Sequence, residues 1–392
     1  PGSRRAWTCP ASTAAPSARA ARSSARAAAC RAMPARRAKA MLYALACAQR
    51  INAQRITQPG VGGTSPNAYF VMVGPLEPQR AYHPWLVSAV SMANTLKDHG
   101  STSDFVLLLA TKRDGRPRET VPLLEEEEAT LLKTGCRWRY ATPPGQRHLA
   151  GYHMGHYKLL AWQHVEYATI QLLDADLLPV NNLDPLFSLT NAFNTEVVAC
   201  PGKVAPLNAG WVLIRPSLST YEGLLKTLDI MRRTNRDAPY GHAMTTPWRA
   251  ATGAAGGSDW RFFDVFGNQG HMYDYFRFEA KSLSVITQST QNGTRVFAYG
   301  EDERIIVDAF PSILDAAFPC PFPVRGKRAP SGLAYHHFTG SRKPWRPFDP
   351  SNAKYRAWYA AASRRGADLG ILEGLFPSVL LEVLRDAATR YL

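Results

Sequence analysis

The stretch I-Q-L-L-D-A-D-L-L-P-V, residues 170–180, joins a predicted strand to two carboxylates. Residues 170–173 suit a buried parallel strand, and Asp174 and Asp176 follow it. Because residues two apart in extended backbone project to the same side, these carboxylates can converge on one ion while Ala175 points away. Two unpaired carboxylates beside an apolar run repel each other and lose hydration, which a cation between them offsets. The stretch therefore predicts a metal site at the carboxyl end of a strand.

The type of ligand restricts which metal such a site would take. Oxygen ligands favour Mg²⁺ or Mn²⁺, which proteins typically bind through one or two carboxylates together with substrate phosphates. A D-x-D pair also occurs often in turns and helix caps, so a structural turn without a metal is the alternative. The other motifs of the chain decide between these two interpretations.

The body of the chain alternates between strand and helix patterns, as α/β folds do. Apolar runs at residues 68–73 and 105–110 predict buried strands, and the pattern of residues 84–99 predicts a helix between them. These three elements form a βαβ unit. Further strands are predicted at 170–173, 197–200, 210–215, 295–299 and 304–307, and further helices at 123–133, 156–168, 217–232, after Gly270, and 378–392. The glutamates of 125–128 predict an exposed helix, because a run of charge is usually a solvated face.

The formal net charge of +15 is concentrated at the beginning of the chain. Residues 1–55 contain eleven Lys or Arg and no Asp or Glu, so the remainder is nearly balanced. This removes most of the argument for nucleic-acid binding by the body. Residues 1–40 lack hydrophobic periodicity and are rich in Ala, Arg, Ser and Pro, which predicts a disordered or targeting extension. A true start at Met33 or Met41 is the alternative.

Membrane and redox signals are weak. The apolar run at 41–48 is too short to span a bilayer and no later segment approaches the required length, so no transmembrane span is expected. Cys136, Cys200 and Cys320 are the cysteines of the body, and three scattered thiols predict neither a metal cluster nor a disulfide framework. The sequon at 292–294 permits a secretory route. Cytoplasm, plastid and the secretory pathway, including the Golgi, all remain open, as does the oligomeric state.

Four landmarks in order resemble the retaining glycosyltransferases of the glycogenin type, family 8. They are a helix bearing Lys158, L-L-D-A-D-L-L-P-V-N-N-L-D-P-L-F at 172–187, L-N-A-G-W-V-L at 207–213 and H-F-T-G-S-R-K-P-W at 337–345. The last is the most specific, because it fixes several chemical types at defined spacing. The resemblance implies a single catalytic domain with a Rossmann-like nucleotide-diphospho-sugar transferase fold, a mixed and mostly parallel sheet flanked by helices. We therefore predict an extension at 1–60, the glycosyltransferase domain at 66–350 and a helical tail at 351–392.

The resemblance also implies a set of metal and phosphate ligands. Asp174, Asp176 and His337 would hold Mn²⁺, with Mg²⁺ as the alternative, since one imidazole beside two carboxylates suits Mn²⁺ better than Ca²⁺. The ion would act as a Lewis acid on the diphosphate of a UDP-sugar donor. Lys343 would place an ammonium on the same phosphates. Gly340 would let the backbone approach them without a Cβ in the way.

The predicted catalytic residues lie on the sugar side. Lys158 is similar to the family's helix lysine that contacts donor hydroxyls, Asn208 to the loop that hydrogen-bonds the hexose, and Gln269 to the glutamine of the family's D-Q-G. The other predicted donor-binding positions are Ala175, Ala209, Gly210 and Tyr82. Of these, Tyr82 is a candidate for stacking on the uracil ring.

One departure from the family pattern concerns mechanism. Asn268 stands where the glycogenin pattern usually has Asp, so a double displacement through residue 268 is excluded. Front-face substitution with retention remains possible, because the leaving phosphate can itself serve as base. Residues 310–323 contain no tyrosine for self-glucosylation, which favours transfer to another molecule.

The resulting functional prediction is a retaining, Mn-dependent enzyme. It would move a hexose, most simply glucose, from a UDP-sugar to a carbohydrate or other hydroxyl acceptor. The alternatives are a catalytically impaired nucleotide-sugar-binding pseudoenzyme and a nucleic-acid-binding protein acting through the basic extension.

Overall fold

The computed structural model describes the body of the chain in eleven stretches, which belong to the unit Ala53–Leu392. The described residues are 65–111, 120–142, 154–200, 207–234, 268–291, 294–299, 304–306, 320, 334–338, 343–345 and 352–364. The predicted extension at 1–60, Gly340 and the predicted helix at 378–392 lie outside them. Among the described residues, no helix combines the length and apolar character that crossing a bilayer requires.

The centre of the fold is a seven-stranded mixed sheet. Its strands are β1 (Asn67–Val73), β2 (Asp104–Ala110), β3 (Arg137–Ala141), β4 (Thr169–Leu173), β6 (Val197–Cys200), β7 (Asn208–Ile214) and β8 (Leu283–Val285). Their order is β3-β2-β1-β4-β7-β6-β8. Only β7 runs antiparallel to its neighbours, β4 and β6. The mixed, mostly parallel Rossmann-like sheet that the sequence predicts is confirmed.

Two smaller sheets accompany the central one. A three-stranded sheet contains β9 (Thr287–Gln291), β10 (Thr294–Tyr299) and β11 (Arg304–Ile306), which agrees with the late strands predicted from sequence. A two-stranded sheet pairs β5 (Leu177–Pro179) with β12 (Tyr335–His337) in antiparallel register. Neither β5 nor β12 was predicted, because three-residue strands are too short to show periodicity.

Helices flank the central sheet. They are α1 (His83–Asp98), α2 (Glu125–Lys133), α3 (Leu189–Ala192), α4 (Leu218–Thr234), α5 (Asn268–Asp274) and α6 (Ala353–Arg364). A 3₁₀ helix occupies Met154–Gln163, and a π-helix, Tyr275–Glu279, continues α5. The helix predicted at 156–168 is therefore wrong in type and in its end, since residues 164–168 form turns before β4.

The βαβ unit follows from its apolar pattern. β1 carries Ala68, Phe70 and Val71 at no more than 1% exposure, and every residue of β2 is buried. The two strands pair in parallel, which confirms the predicted unit. α1 packs against β1 and β5 and also contacts α6. The unit therefore links the central sheet to the small sheet that bears His337.

The glutamate run of α2 differs from its prediction. Glu127 is fully buried, whereas Glu125 and Glu126 are exposed. The Glu127 carboxylate accepts hydrogen bonds from the backbone N–H of Leu124 at 2.7 Å and from the hydroxyl of Tyr82 at 3.1 Å. The prediction of a solvated face is thus wrong for Glu127, whose charge is stabilised by the nearby backbone of Leu124 and by Tyr82, which is distant in sequence.

A disulfide joins Cys200 at the end of β6 to Cys320, with 5.3 Å between their Cα atoms. The expectation that the body thiols form no such pair is wrong for these two residues. Their separation of 120 residues left no local spacing that could have indicated the bond. Cys136 is free and buried.

Candidate active site

Asp174, Asp176 and His337 converge at the carboxyl end of β4. One ligand atom from each of the three side chains lies within 4.8 Å of the other two. Nε2 of His337 is 3.6 Å from Oδ2 of Asp174 and 3.4 Å from Oδ1 of Asp176. Two carboxylates and an imidazole at these distances fit a divalent cation such as Mn²⁺ or Mg²⁺. The convergence of these three predicted ligands was expected from the resemblance, and the identity of the metal remains a proposal.

Strand pairing brings the histidine to the two carboxylates. His337 lies opposite Leu177 in the β5–β12 pair, and Leu177 directly follows Asp176. The backbone N–H of Phe338 continues this contact by donating to the carbonyl of Asp176 at 3.0 Å. The side chains of Asp176 and His337 are about 95% buried, whereas that of Asp174 is 36% exposed. The group is therefore reached from the side of Asp174.

Gly210 makes room for the imidazole. A Cβ built on Gly210 would clash with Cε1 of His337 and approach its Nδ1 to 2.9 Å. The backbone around Gly210 is fixed on both sides, since its N–H donates to Oδ1 of Asn208 at 2.7 Å and its carbonyl accepts from the N–H of Asp174 at 2.8 Å. The glycine of L-N-A-G is therefore required by the close approach of the His337 ring.

Lys158 joins the end of β4 to the start of β7. Its ammonium forms an ion pair with Asp174 and donates to the carbonyl of Ala209 at 2.5 Å. Burial alone would raise the pKa of the Asp174 carboxyl, but the charge of Lys158 and the contact with His337 hold it well below its usual value. Contact between Lys158 and a donor hydroxyl, expected from the resemblance, remains a prediction.

Gln269 and Asn208 hold the first residues of β7 in place. Oε1 of Gln269, in the first turn of α5, accepts a hydrogen bond from the backbone N–H of Ala209 at 3.1 Å. Asn208, Ala209 and Gln269 therefore lie together beside Asp174, as the resemblance predicts for a sugar-binding loop. Asn268 is buried at the start of the same helix. Ala175 is also buried and offers no side-chain ligand.

Lys343 lies on the other side of Asp176. Its ammonium forms an ion pair with this carboxylate, donates to the carbonyl of Phe338 at 3.1 Å and lies 5.2 Å from the centroid of the Trp85 ring. Sequence reasoning missed Trp85 as a neighbour of the site, because its position fits the apolar face of α1. Only its tertiary contact with Lys343 distinguishes it from an ordinary core residue.

The protonation of His337 reflects the two carboxylates. Burial alone would lower the pKa of its imidazole, but hydrogen bonds to Asp174 and Asp176, together with their charges, raise the pKa to about 8. In the absence of a metal, the imidazole is thus stabilised as a cation between two anions.

Tyr82 does not line the site. Its ring is fully buried, and its hydroxyl donates to Glu127 at 3.1 Å while accepting from Arg80 at 3.0 Å. A buried ring offers no face to a nucleobase, so the prediction that Tyr82 stacks on uracil is wrong. The ring of Trp85 instead lies beside the site, at 5.2 Å from the ammonium of Lys343.

Sequence comparison finds two groups of similar proteins. Galactinol synthase 2 of Solanum lycopersicum is 31% identical over 143 residues, which cover 27% of this chain and 42% of that protein. UDP-glucuronate:xylan alpha-glucuronosyltransferase 1 of Arabidopsis thaliana is 25% identical over 193 residues, which cover 49% of this chain and 26% of that protein. The chain thus spans less than half the length of these relatives. No protein-family model matches it.

Solved structures give a weaker similarity. The galactosyltransferase LgtC, crystallised with donor and acceptor sugar analogues, aligns over 79% of this chain and 100% of its own at 14% identity, with a TM-score of 0.46. The glycosyltransferase GlyE of Streptococcus pneumoniae aligns over 79% of this chain and 63% of its own at 13% identity, with a TM-score of 0.40. The sequence relatives alone confirm the predicted resemblance to family-8 glycosyltransferases.

Proposed function

We propose that this chain is a retaining, divalent-metal-dependent glycosyltransferase that moves a hexose from a UDP-sugar to a hydroxyl acceptor. The observation that carries this proposal is the convergence of Asp174, Asp176 and His337, with Lys343 in contact with Asp176. A nucleoside diphosphate requires both a metal and a cation beside it as it leaves, and these residues offer ligands for the first and supply the second.

Each residue has a defined task in this proposal. Asp174, Asp176 and His337 would hold Mn²⁺, or Mg²⁺ in its place, and a bound ion would supply Lewis-acid stabilisation of the departing UDP. Lys343 neutralises the phosphate charge with its ammonium. Asn208 would lie beside the hexose at the start of β7. The hydrogen bond between Gln269 and Ala209 keeps this part of β7 in place.

Lys158 and Asn268 bear on the stereochemical course. Lys158 would contact the sugar from its position beside Asp174, where its ammonium donates to the carbonyl of Ala209. Asn268 carries an amide, which is neither a nucleophile nor a base, so retention would proceed by front-face attack with the leaving phosphate as base. The acceptor is a hydroxyl of another molecule.

The donor is proposed to be UDP-glucose. One relative is named for UDP-glucuronate and another for the synthesis of galactinol, so UDP-glucuronate and UDP-galactose are the donors to compare with it. A second candidate function, a nucleotide-sugar-binding pseudoenzyme, is favoured by the amide at Asn268. It predicts UDP-sugar binding without turnover.

The decisive experiment is a screen of UDP-sugar hydrolysis with Mn²⁺, Mg²⁺ or chelator, using protein that begins near Met41. We expect Mn²⁺-dependent release of UDP from one donor in preference to the others, and retention of the anomeric configuration in the released sugar by NMR. Binding of UDP-sugar without hydrolysis would instead support the pseudoenzyme. Failure to bind any UDP-sugar in the presence of Mn²⁺ would rule out both functions.

A further inference from the structure

Each carboxylate of the proposed metal site is paired with its own lysine. Lys158 contacts Asp174, and Lys343 contacts Asp176. The two lysines differ in their surroundings, since the Lys158 side chain is 5% exposed and also bound to the Ala209 carbonyl, whereas that of Lys343 is 16% exposed. Lys343 is therefore the more accessible of the two lysines, whereas Asp176, at 5% exposure, can release it at low cost only when another cation takes its place.

Lys343 has contacts that keep its ammonium near the site when it leaves Asp176. The carbonyl of Phe338 accepts from it at 3.1 Å, and the ring of Trp85 lies 5.2 Å from it. A carbonyl dipole and the face of an aromatic ring both stabilise an ammonium without neutralising its charge. A lysine ammonium is also a point charge on a flexible stem, so it can move between acceptors without the geometric constraint of a guanidinium.

The charges make simultaneous use of Asp176 by lysine and metal unfavourable. In the metal-free arrangement, the two carboxylates face two ammonium groups as well as the imidazole of His337. A divalent cation that takes the carboxylate of Asp176 competes with Lys343 for the same oxygens and repels its ammonium at close range. Once released, Lys343 and the cation present a surplus of positive charge, which matches the two negative charges of a diphosphate.

We propose that Lys343 exchanges partners. It holds the carboxylate of Asp176 in the metal-free protein and turns to the donor diphosphate when a divalent cation occupies that carboxylate. Trp85 and the Phe338 carbonyl keep the ammonium within reach of both positions. This inference rests on the proposed function, and it adds that metal and nucleoside diphosphate bind with positive coupling because one side chain opposes the first and attracts the second.

The experiment measures Mn²⁺ binding rather than turnover. Mn²⁺ affinity is determined by electron paramagnetic resonance or calorimetry, with and without UDP, for the full chain and for Lys343→Met. Methionine keeps most of the length of the side chain and removes the charge. Lys354→Met is the matched control, because Lys354 also lies over an aromatic ring, at 5.2 Å from Phe338, in the same region of the fold.

We expect Lys343→Met to bind Mn²⁺ alone roughly five- to tenfold more tightly than the wild type, since the competing charge is gone. UDP should then raise Mn²⁺ affinity by a smaller factor than in the wild type. Lys354→Met should change neither quantity by more than about twofold. Lys343→Arg, which retains the charge, should keep the weak Mn²⁺ affinity of the wild type and guards against an effect of misfolding.

Two results would overturn the exchange. Unchanged or weaker Mn²⁺ affinity in Lys343→Met, in a protein whose wild type hydrolyses a UDP-sugar, would overturn the exchange and leave the proposed function in place. Equal gains in Lys343→Met and Lys354→Met would reduce the effect to general charge and also overturn it. A wild type that binds neither Mn²⁺ nor UDP would remove the proposed function as well.

Discussion

Nε2 of His337, at the end of β12, lies 3.4 Å from Oδ1 of Asp176, the residue directly before β5. The two strands come from distant parts of the sequence, and a hydrophobic cluster holds them together. Leu178 of β5 and Phe338 pack with Trp358 of α6, which is fully buried and donates its Nε1–H to Ser88 of α1 at 3.0 Å. The geometry of the site therefore depends on a helix that contributes none of its ligands.

Replacement of Asp176 tests the metal site most directly. Asp176→Asn removes one of two anionic ligands and the partner of Lys343, so we expect metal-dependent UDP-sugar hydrolysis to fall by about 100-fold or more. The measurement is UDP release as a function of Mn²⁺ concentration. Glu222→Gln, at an exposed position on α4, is the matched control and should behave as the wild type. Equal rates in Asp176→Asn and the wild type would remove Asp176 from the site.

The contact between Gly210 and His337 predicts a non-additive pair of substitutions. Gly210→Ala places a methyl group against the imidazole, and overpacking of this kind typically costs about 1–3 kcal/mol. In a His337→Ala background the ring is absent, so the same substitution should cost less, and the remaining cost comes from Oδ1 of Asn208, which the added Cβ approaches to 2.7 Å. Chemical denaturation of the four proteins of the cycle measures the difference. Additive costs would show that the methyl group does not meet the ring.

How far the sequence determines the site depends on the range of the interactions. Asp174 and Asp176 could be predicted together because both lie in one short segment, where extended backbone sends alternate side chains to one side. His337 and Lys343 could be predicted only through the resemblance of their motif, since the β5–β12 pair that places them has strands of three residues. A strand this short forms because its partner is present.

The wrong predictions share a physical cause. Tyr82 and Glu127 look like surface residues in their own segments, yet they bury each other's polar groups across a long sequence separation. Likewise, Cys200 and Cys320 form a bond that no local spacing indicates. In contrast, β1 and β2 could be predicted because their buried residues form continuous apolar runs. α1 could be predicted because its apolar residues recur in a helical pattern. The local sequence pattern thus predicted the strands and helices. Which distant side chains contact each other could be seen only in the tertiary structure.

The buried carboxylate of Glu127 predicts a pH-dependent contribution to stability. Burial alone would raise the pKa of Glu127, but hydrogen bonds from His83 and from the backbone of Leu124, with the charges of His83 and Arg80, lower it below 4.5. Because the pKa of the folded state is depressed, this contribution is present above about pH 4.5 and is lost as the pH falls further.

Glu127→Gln should therefore lower the free energy of unfolding at pH 7 by about 2–4 kcal/mol, since it leaves Arg80 and its neighbours without their anion. The difference from the wild type should shrink as the pH falls below about 4.5, because the wild-type carboxyl becomes neutral too. Urea titrations at several pH values measure both effects. Glu126→Gln, at the exposed neighbouring position, should show neither effect, and an equal loss there would contradict the assignment.

The disulfide between Cys200 and Cys320 predicts a redox-dependent stability near the start of β7. Cys200 lies opposite Asn208 in the β6–β7 pair. The disulfide therefore anchors the end of β6 beside the first residue of β7. A disulfide that closes a loop of 120 residues typically stabilises a fold by about 2–5 kcal/mol.

Under oxidising conditions, a non-reduced peptide map should therefore contain the cross-linked pair, and reduction should lower the melting temperature. Cys200→Ser should abolish the difference between oxidised and reduced protein, whereas Cys136→Ser, at the buried free thiol, should preserve it. A melting temperature that does not respond to reduction in the cross-linked wild type would show that packing alone, and not the disulfide, stabilises this part of the fold.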